Sequence, residues 1–163
     1  MKLIPLSQGK FAQVDDKDFE ELSKYKWHAF KVTANLFYAR RNQKINGKQR
    51  QSGILMHRQI LNICNRMFVD HINGNGLDNT RNNIRLCNAT QNNRNARAYK
   101  TASSKYKGVS KSKNRKKYKG TITFRGKCIH LGYFIEEINA AIAYNIAAVK
   151  YFGEFACLNI ITP

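Results

Sequence analysis

Apolar and polar positions alternate through the carboxy-terminal third of the chain. The stretches YKGVS, KYKGTITF and KCIHLGYF each place apolar residues at every second position or nearly so. Successive side chains of a β-strand point to opposite faces, so this period of two predicts three antiparallel strands. The residues expected to face the core are Tyr118, Gly120, Ile122, Phe124, Ile129, Leu131 and Tyr133.

The segment after these strands changes to helical spacing. EEINAAIAYNIAAVKYF carries Glu136 and Glu137 where a first helical turn would begin, and Gly153 where the helix would end. Its larger apolar residues recur every three or four positions, which is typical of an amphipathic helix. We expect this stripe to pack on one face of the sheet, and its members are Ile138, Ile142, Ile146, Val149 and Phe152.

The middle of the chain predicts a strand, a long loop, a second strand and a helix. FVDH and IRLC have the character of strands, and INGNGLDNTRNN between them is dense in turn-forming residues. Asn88 and Gln91 have the spacing of a capping box, so a helix should run from Ala89 to about Ala98. HRQILNIC, which begins at His57, predicts a short helix before the first of these strands.

The amino-terminal part predicts short strands and one helix. KFAQVDD is typical of a strand, and DFEELSKYKW predicts a helix capped by Asp18. A hairpin is expected to turn at Asn46 and Gly47. Trp27 and Phe37 are assigned to the core.

These patterns predict an α+β protein built in consecutive parts. The expected parts are a strand-rich leader at 1–56, a middle segment at 57–99, a linker at 100–105, and a three-stranded sheet with its helix at 106–163.

Charge narrows the possible partners. The formal net charge is +19, and residues 79–135 contain no acidic residue. A long basic segment repels itself unless a polyanion neutralises it, so nucleic acid is the expected partner. A membrane is not expected, because the basic stretch lacks an apolar helical face and no apolar run approaches the roughly 20 residues that span a bilayer. The amino terminus lacks the apolar core of a secretory signal, so a cytoplasmic protein is expected.

The cysteines do not predict a metal or disulfide framework. They are scattered along the chain at Cys64, Cys87, Cys128 and Cys157, without a C-x-x-C pair. A zinc site usually draws on closely spaced ligand pairs, so no zinc is expected.

Asp70 and His71 stand at the amino-terminal edge of the basic region. A carboxylate there would repel a phosphate unless a cation lay between them. A hard cation such as Mg²⁺ prefers oxygen ligands, which Asp70 and the neighbouring asparagines could supply. A neutral histidine can accept a proton from water. Because neighbours in a strand point to opposite sides, the two side chains need not share one ligand shell.

The ordered set of DH at 70–71, Asn83 before IRLC, and NATQNN at 88–93 resembles the HNH nuclease pattern with its ββα-metal fold. The resemblance is strongest to phage-type homing endonucleases. If the protein is encoded by a phage, it is expected in the cytoplasm of the bacterial host. It implies Asp70 and Asn92 as ligands of one divalent ion, Mg²⁺ or Mn²⁺, with Asn93 as the alternative second ligand. It implies His71 as the general base and Asn83 as the residue that holds the long loop.

Residues 106–163 resemble an AP2/ERF DNA-binding domain, which reads DNA with its sheet. The resemblance implies contacts from Lys107, Lys117, Thr121, Thr123 and His130. The alternation adds Lys119 and Arg125 to the outward face, where a ribbon of strands could enter the major groove. Phosphate contacts are expected from Arg85, Arg94 and Arg97.

The sequence therefore predicts an endonuclease of double-stranded DNA that acts as a monomer or as a dimer on DNA. A monomer would nick one strand, and two copies together would break both. The alternatives are a DNA-binding transcriptional regulator with an inactive nuclease unit, and an RNA-binding structural protein. A binding competition between DNA and RNA would distinguish the RNA-binding alternative from the other two.

Overall fold

A computed structural model describes residues 1–45, 48–63, 67–95, 103–112 and 116–161. The chain forms two compact units, residues 1–89 and 90–163. Both combine helices with small antiparallel sheets, as the α+β class requires. Within the described ranges, no helix is long and apolar enough to cross a membrane.

The first unit contains most of the strands. Its elements are β1 (Lys2–Pro5), β2 (Phe11–Val14), α1 (Asp16–Ser23), β3 (His28–Thr33), β4 (Leu36–Ile45), β5 (Lys48–Leu55), α2 (Met56–Ile60), β6 (Phe68–His71) and β7 (Ile84–Cys87). They pair as β1–β2, β3–β4–β5 and β6–β7, all antiparallel.

One hydrophobic core joins the amino-terminal strands to the β6–β7 segment. Val14, Trp27, Met56 and Ile84 belong to the same cluster of buried side chains. The Trp27 Nε1 group donates a hydrogen bond of 2.8 Å to the Leu22 carbonyl, so the indole is buried without losing its polar contact. Residues 1–56 therefore pack together with much of 57–99 rather than standing apart as a leader.

The amino-terminal predictions differ from the structure in detail. Helix α1 begins at Asp16, so Asp18 lies inside its first turn and Asp15 occupies the cap position that Asp18 was expected to take. Strands β4 and β5 form the expected hairpin, whereas its turn at Asn46 and Gly47 lies outside the described residues. Phe37 is half-buried, and Lys10 lies over its ring.

The second unit is a sheet covered by one long helix. Its elements are α3 (Ala89–Arg94), β8 (Val109–Lys111), β9 (Tyr118–Phe124), β10 (Lys127–Phe134), α4 (Glu137–Phe152) and a short 3₁₀ turn (Gly153–Phe155). The strand order is β10–β9–β8, and all pairs are antiparallel. Helix α3 starts at the expected residue, at the boundary between the units; 96–98, where its end was expected, and 100–102 of the predicted linker lie outside the described residues.

A β-bulge changes the face of the last strand. Pairing of β10 with β9 shifts between His130 and Gly132, so that Tyr133 lies opposite Lys119. A bulge reverses the in–out alternation beyond it. Tyr133 is therefore 41% exposed rather than buried as predicted, and Phe134 packs into the core instead.

Helix α4 buries only part of the predicted stripe. Phe152 is buried and Ile138 packs against the core, as predicted. The predicted residues Ile142, Ile146 and Val149 are 41%, 67% and 55% exposed. The side chains that are buried are mostly small, namely Ala140, Ala141, Tyr144, Ala147, Ala148 and Phe152. Small residues let the helix lie close to Gly108 and Gly120 of the sheet side, where the Tyr144 ring leaves no room for a Cβ on Gly108.

Candidate functional site

Strands β6 and β7 place Asp70 and His71 next to each other in the first unit. The register pairs Asp70 with Arg85 and His71 with Ile84. Alternation along β6 directs the two side chains to opposite faces of the hairpin. Each is only 5% exposed. A buried acid and a buried histidine thus occupy adjacent positions without sharing one environment.

Arg85 forms a buried ion pair with Asp70. Its Nε and Nη2 groups donate hydrogen bonds of 3.0 and 2.8 Å to the same oxygen, Asp70 Oδ2. The Arg85 and Asp70 side chains are 13% and 6% exposed. The structure thus places Arg85, which was predicted to contact phosphate, against the Asp70 carboxylate.

Asn83 joins the two ends of the long loop between the strands. Its Oδ1 accepts a hydrogen bond of 2.9 Å from the Asn73 amide, and its Nδ2 donates one of 2.8 Å to the Asp78 carbonyl. The Asn83 carbonyl also accepts a bond of 2.8 Å from the Ile72 amide. One side chain and its backbone therefore constrain the loop directly after His71.

Two aromatic rings contact the ring of His71. The Tyr38 ring stacks on His71 with centroids 5.6 Å apart and an angle of 19° between the planes. The His57 ring stands nearly perpendicular to His71, at 85° and 4.9 Å. His57 also contacts Tyr38, at 76° and 5.2 Å. Each ring of this group, here called the ring cluster, contacts the other two.

Burial keeps both histidines of the ring cluster neutral near neutral pH. It lowers the pKa of His57 to about 3, and the nearby His71 and Arg58 act in the same direction. Burial also lowers the pKa of His71, although Asn79, Asp70 and Asp78 oppose this change. A neutral imidazole has a lone pair available, so His71 is able to accept a proton.

Two residues beside His71 were not predicted from the sequence. Tyr38 lies in β4, far from His71 along the chain, and nothing in its local pattern indicates that its ring contacts His71. Asn79 is fully buried, and its backbone amide donates a hydrogen bond of 2.8 Å to the Gln13 carbonyl of β2. The sequence places Asn79 in an asparagine-rich loop, but it does not distinguish buried from exposed asparagines there. For His57, the sequence pattern predicts only the start of a short helix.

The predicted metal ligands are oxygen donors of the kind that Mg²⁺ prefers. Asp70 supplies a carboxylate from β6, and Asn92 and Asn93 supply amide groups from α3. Asn92 is half-buried and Asn93 is exposed. A hard divalent cation suits this donor chemistry, whereas the positive charge of Arg85 on Asp70 opposes it.

Comparison with known proteins places the chain in a family. It is 34% identical, over 96% of its own length and 79% of the relative, to an uncharacterised HNH endonuclease of Acanthamoeba polyphaga mimivirus. The chain belongs to the HNH endonuclease family. A shorter match, 40% identical over 37% of the chain, joins it to half the length of protein 3.8 of Escherichia phage T7. No family model matches the sequence.

In the second unit of this HNH family member, several predicted DNA contacts surround one cavity. The cavity has a volume of about 690 Å³ and lies beside β9. The predicted residues in its lining are Arg94, Lys107, Thr121, Thr123 and Arg125. Asn93 also lines it, which sets Asn93 among the cationic side chains of the second unit.

Two of the lining cations are engaged by the protein itself. The Arg94 guanidinium lies over the Phe152 ring at 5.0 Å and over Phe124 at 5.9 Å. The Lys107 Nζ group donates a hydrogen bond of 2.5 Å to the Arg94 carbonyl, and burial lowers the pKa of this lysine. Both are better placed to shape the cavity than to extend into solvent. Arg97 lies outside the described residues.

The outward face of the sheet carries the remaining predicted contacts. His130 pairs with Thr121, and Lys119 pairs with Tyr133, so these four side chains share one face. The His130 and Tyr133 rings contact each other at 4.7 Å. Lys117 and Arg125 are exposed at the two ends of β9. The bulge thus adds an aromatic ring to a face that the alternation had predicted to be polar.

Proposed function

We propose that the chain is a metal-dependent DNA endonuclease in which His71 is the general base. The observation that carries the proposal is a buried, neutral His71 that directly follows Asp70 in β6, in an HNH family member of strongly basic charge. Hydrolysis of a phosphodiester requires a base for water and positive charge near the phosphate.

Each of these tasks is assigned to a predicted site residue. His71 accepts the proton of the attacking water. Asn83 holds the loop that follows His71, and Asp70 with Asn92 would hold the divalent cation. When bound, Mg²⁺ or Mn²⁺ supplies charge neutralisation at the phosphate and stabilises the leaving oxygen. A 3′-oxygen leaving group yields 5′-phosphate and 3′-hydroxyl ends.

We assign choice of the DNA site to the second unit. Its outward sheet face presents Lys119, Thr121, Thr123 and His130, and a two- or three-stranded ribbon fits the major groove. This arrangement supports an AP2/ERF-like reading of double-stranded DNA and a homing role, in which a cut is directed to a chosen site.

Nicking of supercoiled plasmid tests the chemistry. The wild-type chain should nick in Mg²⁺ or Mn²⁺ and not in EDTA. His71→Ala should lower the single-turnover rate by about 10²–10⁴-fold, the usual loss for a general base, while DNA binding stays within a few-fold. Cleavage by His71→Ala at the wild-type rate would remove His71 from the mechanism.

Metal titration tests the proposed ligands separately from the base. Asp70→Asn replaces an anionic oxygen with a neutral one, so it should raise the Mg²⁺ concentration needed for half-maximal rate. Asn92→Ala should act in the same direction but more weakly, and Asn93→Ala serves as the matched control. A larger effect from Asn93 than from Asn92 would exchange their roles.

The ion pair between Arg85 and Asp70 favours a second candidate, a DNA-binding regulator whose nuclease unit is inactive. An arginine that satisfies the carboxylate competes with any cation for it. The same plasmid assay separates the two: specific DNA binding without nicking, across Mg²⁺ and Mn²⁺ concentrations, would select the regulator.

A further inference from the structure

The ring of the proposed base is held by two rings from outside the β6–β7 segment. Tyr38 comes from β4 and His57 from α2. Because Tyr38 lies nearly parallel to His71 and His57 nearly perpendicular to it, rotation of the His71 ring would clash with one or separate from the other. The packing therefore constrains the plane of the imidazole as well as its position.

The long loop fixes Tyr38 in turn. A Cβ on Gly76 would lie 2.3 Å from Tyr38 Cδ1 and 2.4 Å from the Phe37 carbonyl oxygen. Such distances leave no space for any side chain at this position. The loop that Asn83 ties down thus presses its backbone against the Tyr38 ring, which links the loop to the ring that stacks on His71.

His57 is an unusual residue to bury for packing alone. It is 5% exposed, and its Nδ1 makes no hydrogen bond within the described part of the chain. A buried polar atom without a partner lowers stability, so such a residue calls for an explanation beyond packing. An apolar side chain could fill the space without this penalty.

We propose that Tyr38 and His57 are positioning residues that hold the His71 ring in its reactive orientation. This inference rests on the proposed function of His71 as the base. Neither residue touches the reacting atoms in this account; both act through the imidazole. A displacement of about 1 Å at a reacting group can lower a rate by about 10²-fold, so ring placement is enough to control the chemical step.

Paired substitutions in the full-length chain test the inference. Tyr38→Leu and His57→Leu remove a ring, whereas Tyr38→Phe and His57→Phe keep one. The leucine variants should lower the single-turnover nicking rate at saturating plasmid by about 10²-fold, with DNA affinity within a few-fold of wild type. The phenylalanine variants should recover most of that loss. Val14→Ala, a buried change in β2, is the control for lost stability and should keep its rate.

Side-chain NMR of the metal-free chain provides a readout that does not depend on cleavage. The stacked Tyr38 ring should shift the ring-proton resonances of His71, and Tyr38→Leu should move them far more than Val14→Ala does. If both leucine variants cut at the wild-type rate and leave these resonances unmoved, the inference is overturned. If His71→Ala cuts normally, the proposed base is wrong. If His71→Ala is inactive while His57→Leu and Tyr38→Leu are fully active, the inference is overturned and the proposed base is retained.

Discussion

At the scale of single residues, the buried ion pair of Asp70 and Arg85 dominates the candidate site. The Nε and Nη2 groups of Arg85 both donate to one oxygen of the carboxylate. A charge taken out of water is costly, and the pair is tolerated because each ion satisfies the other. Arg85 therefore has a structural task in the free protein, and a cation at Asp70 would have to share the carboxylate with it.

Removal of Arg85 should be strongly destabilising. We expect Arg85→Gln to lower the free energy of unfolding by about 3–5 kcal/mol, because it leaves the Asp70 carboxylate buried without its partner. Trp27, the one tryptophan of the sequence, lies in the same core, so its fluorescence during urea unfolding measures the change.

A more exposed ion pair provides the control. Arg81 pairs with Asp18 at 2.7 Å, with the Arg81 side chain 38% exposed. Arg81→Gln should cost less, about 1 kcal/mol. Adding Asp70→Asn to Arg85→Gln should restore part of the loss. An Arg85→Gln chain as stable as wild type would show that the pair contributes nothing in solution.

The buried His57 predicts a pH dependence of stability. Its pKa is about 3 in the folded protein and ordinarily 6.5, so between these values the unfolded chain binds the extra proton. Stability is therefore fully present above pH 6.5 and falls as the pH decreases towards 3, by up to about 1.4 kcal/mol per pH unit. The lowered pKa of His71 adds a loss of the same sign.

Unfolding free energies measured between pH 4 and 7 check this expectation. His57→Phe cannot take up the proton, so its stability should fall less steeply over the range than that of the wild-type chain. Equal slopes for the two proteins would mean that His57 is not the source of the dependence.

At the scale of elements, helix α4 shows how side-chain size decides which face is buried. Four of its alanines are buried, whereas Ile142, Ile146 and Val149 are exposed. Alanine on the inner face lets the helix backbone approach Gly120, whose added Cβ would already lie 3.6 Å from the Ala140 carbonyl. The hydrophobic spacing of the isoleucines is helical, but it does not identify the buried stripe.

Substitutions on the two faces of α4 should differ in their effect on the free energy of unfolding. Ile146→Gln should change the free energy of unfolding by no more than about 0.5 kcal/mol, because the side chain is 67% exposed. Ala148→Leu should lower it by about 1–3 kcal/mol, since added methylenes have no space against the sheet. Urea unfolding followed by circular dichroism measures both, and a larger loss for Ile146→Gln would restore the originally predicted face.

At the scale of the whole molecule, the excess of positive charge is the strongest feature of the composition. The formal charge is +19, and the stretch from 79 to 135 contains only basic charges. In the structure, some of these basic side chains contact other protein groups and others are exposed. Arg85 and Arg94 lie against other protein groups, whereas Lys117 and Arg125 are exposed. The exposed set should account for the salt dependence of DNA binding.

Charge removal on the sheet should therefore alter the salt dependence. The triple change of Lys117, Lys119 and Arg125 to Gln should lower the slope of log affinity against log salt by up to about 2.7, at about 0.9 per phosphate contact. The charge-matched control replaces the exposed Lys17, Lys26 and Lys31 of the first unit with Gln. Equal slopes for the two triple variants would move the DNA interface away from the sheet.

Local patterns in the sequence were enough to predict most strands and helices. These features depend on neighbours a few positions away: alternation for strands, helical spacing for α4, and turn-forming residues in the loop. The starts of α3, β6 and β7 were predicted for this reason. The catalytic roles given to Asp70, His71 and Asn83 stay predictions.

Tertiary structure alone decided which side chains surround His71 and which face of α4 is buried. Tyr38 and His57 reach the imidazole only because β4, α2 and β6 belong to one packed unit. A single bulge in β10 exchanged Tyr133 for Phe134 in the core. The sequence sets the local period, but contacts between distant segments follow from the volume and close approach of packed side chains, which no local pattern records.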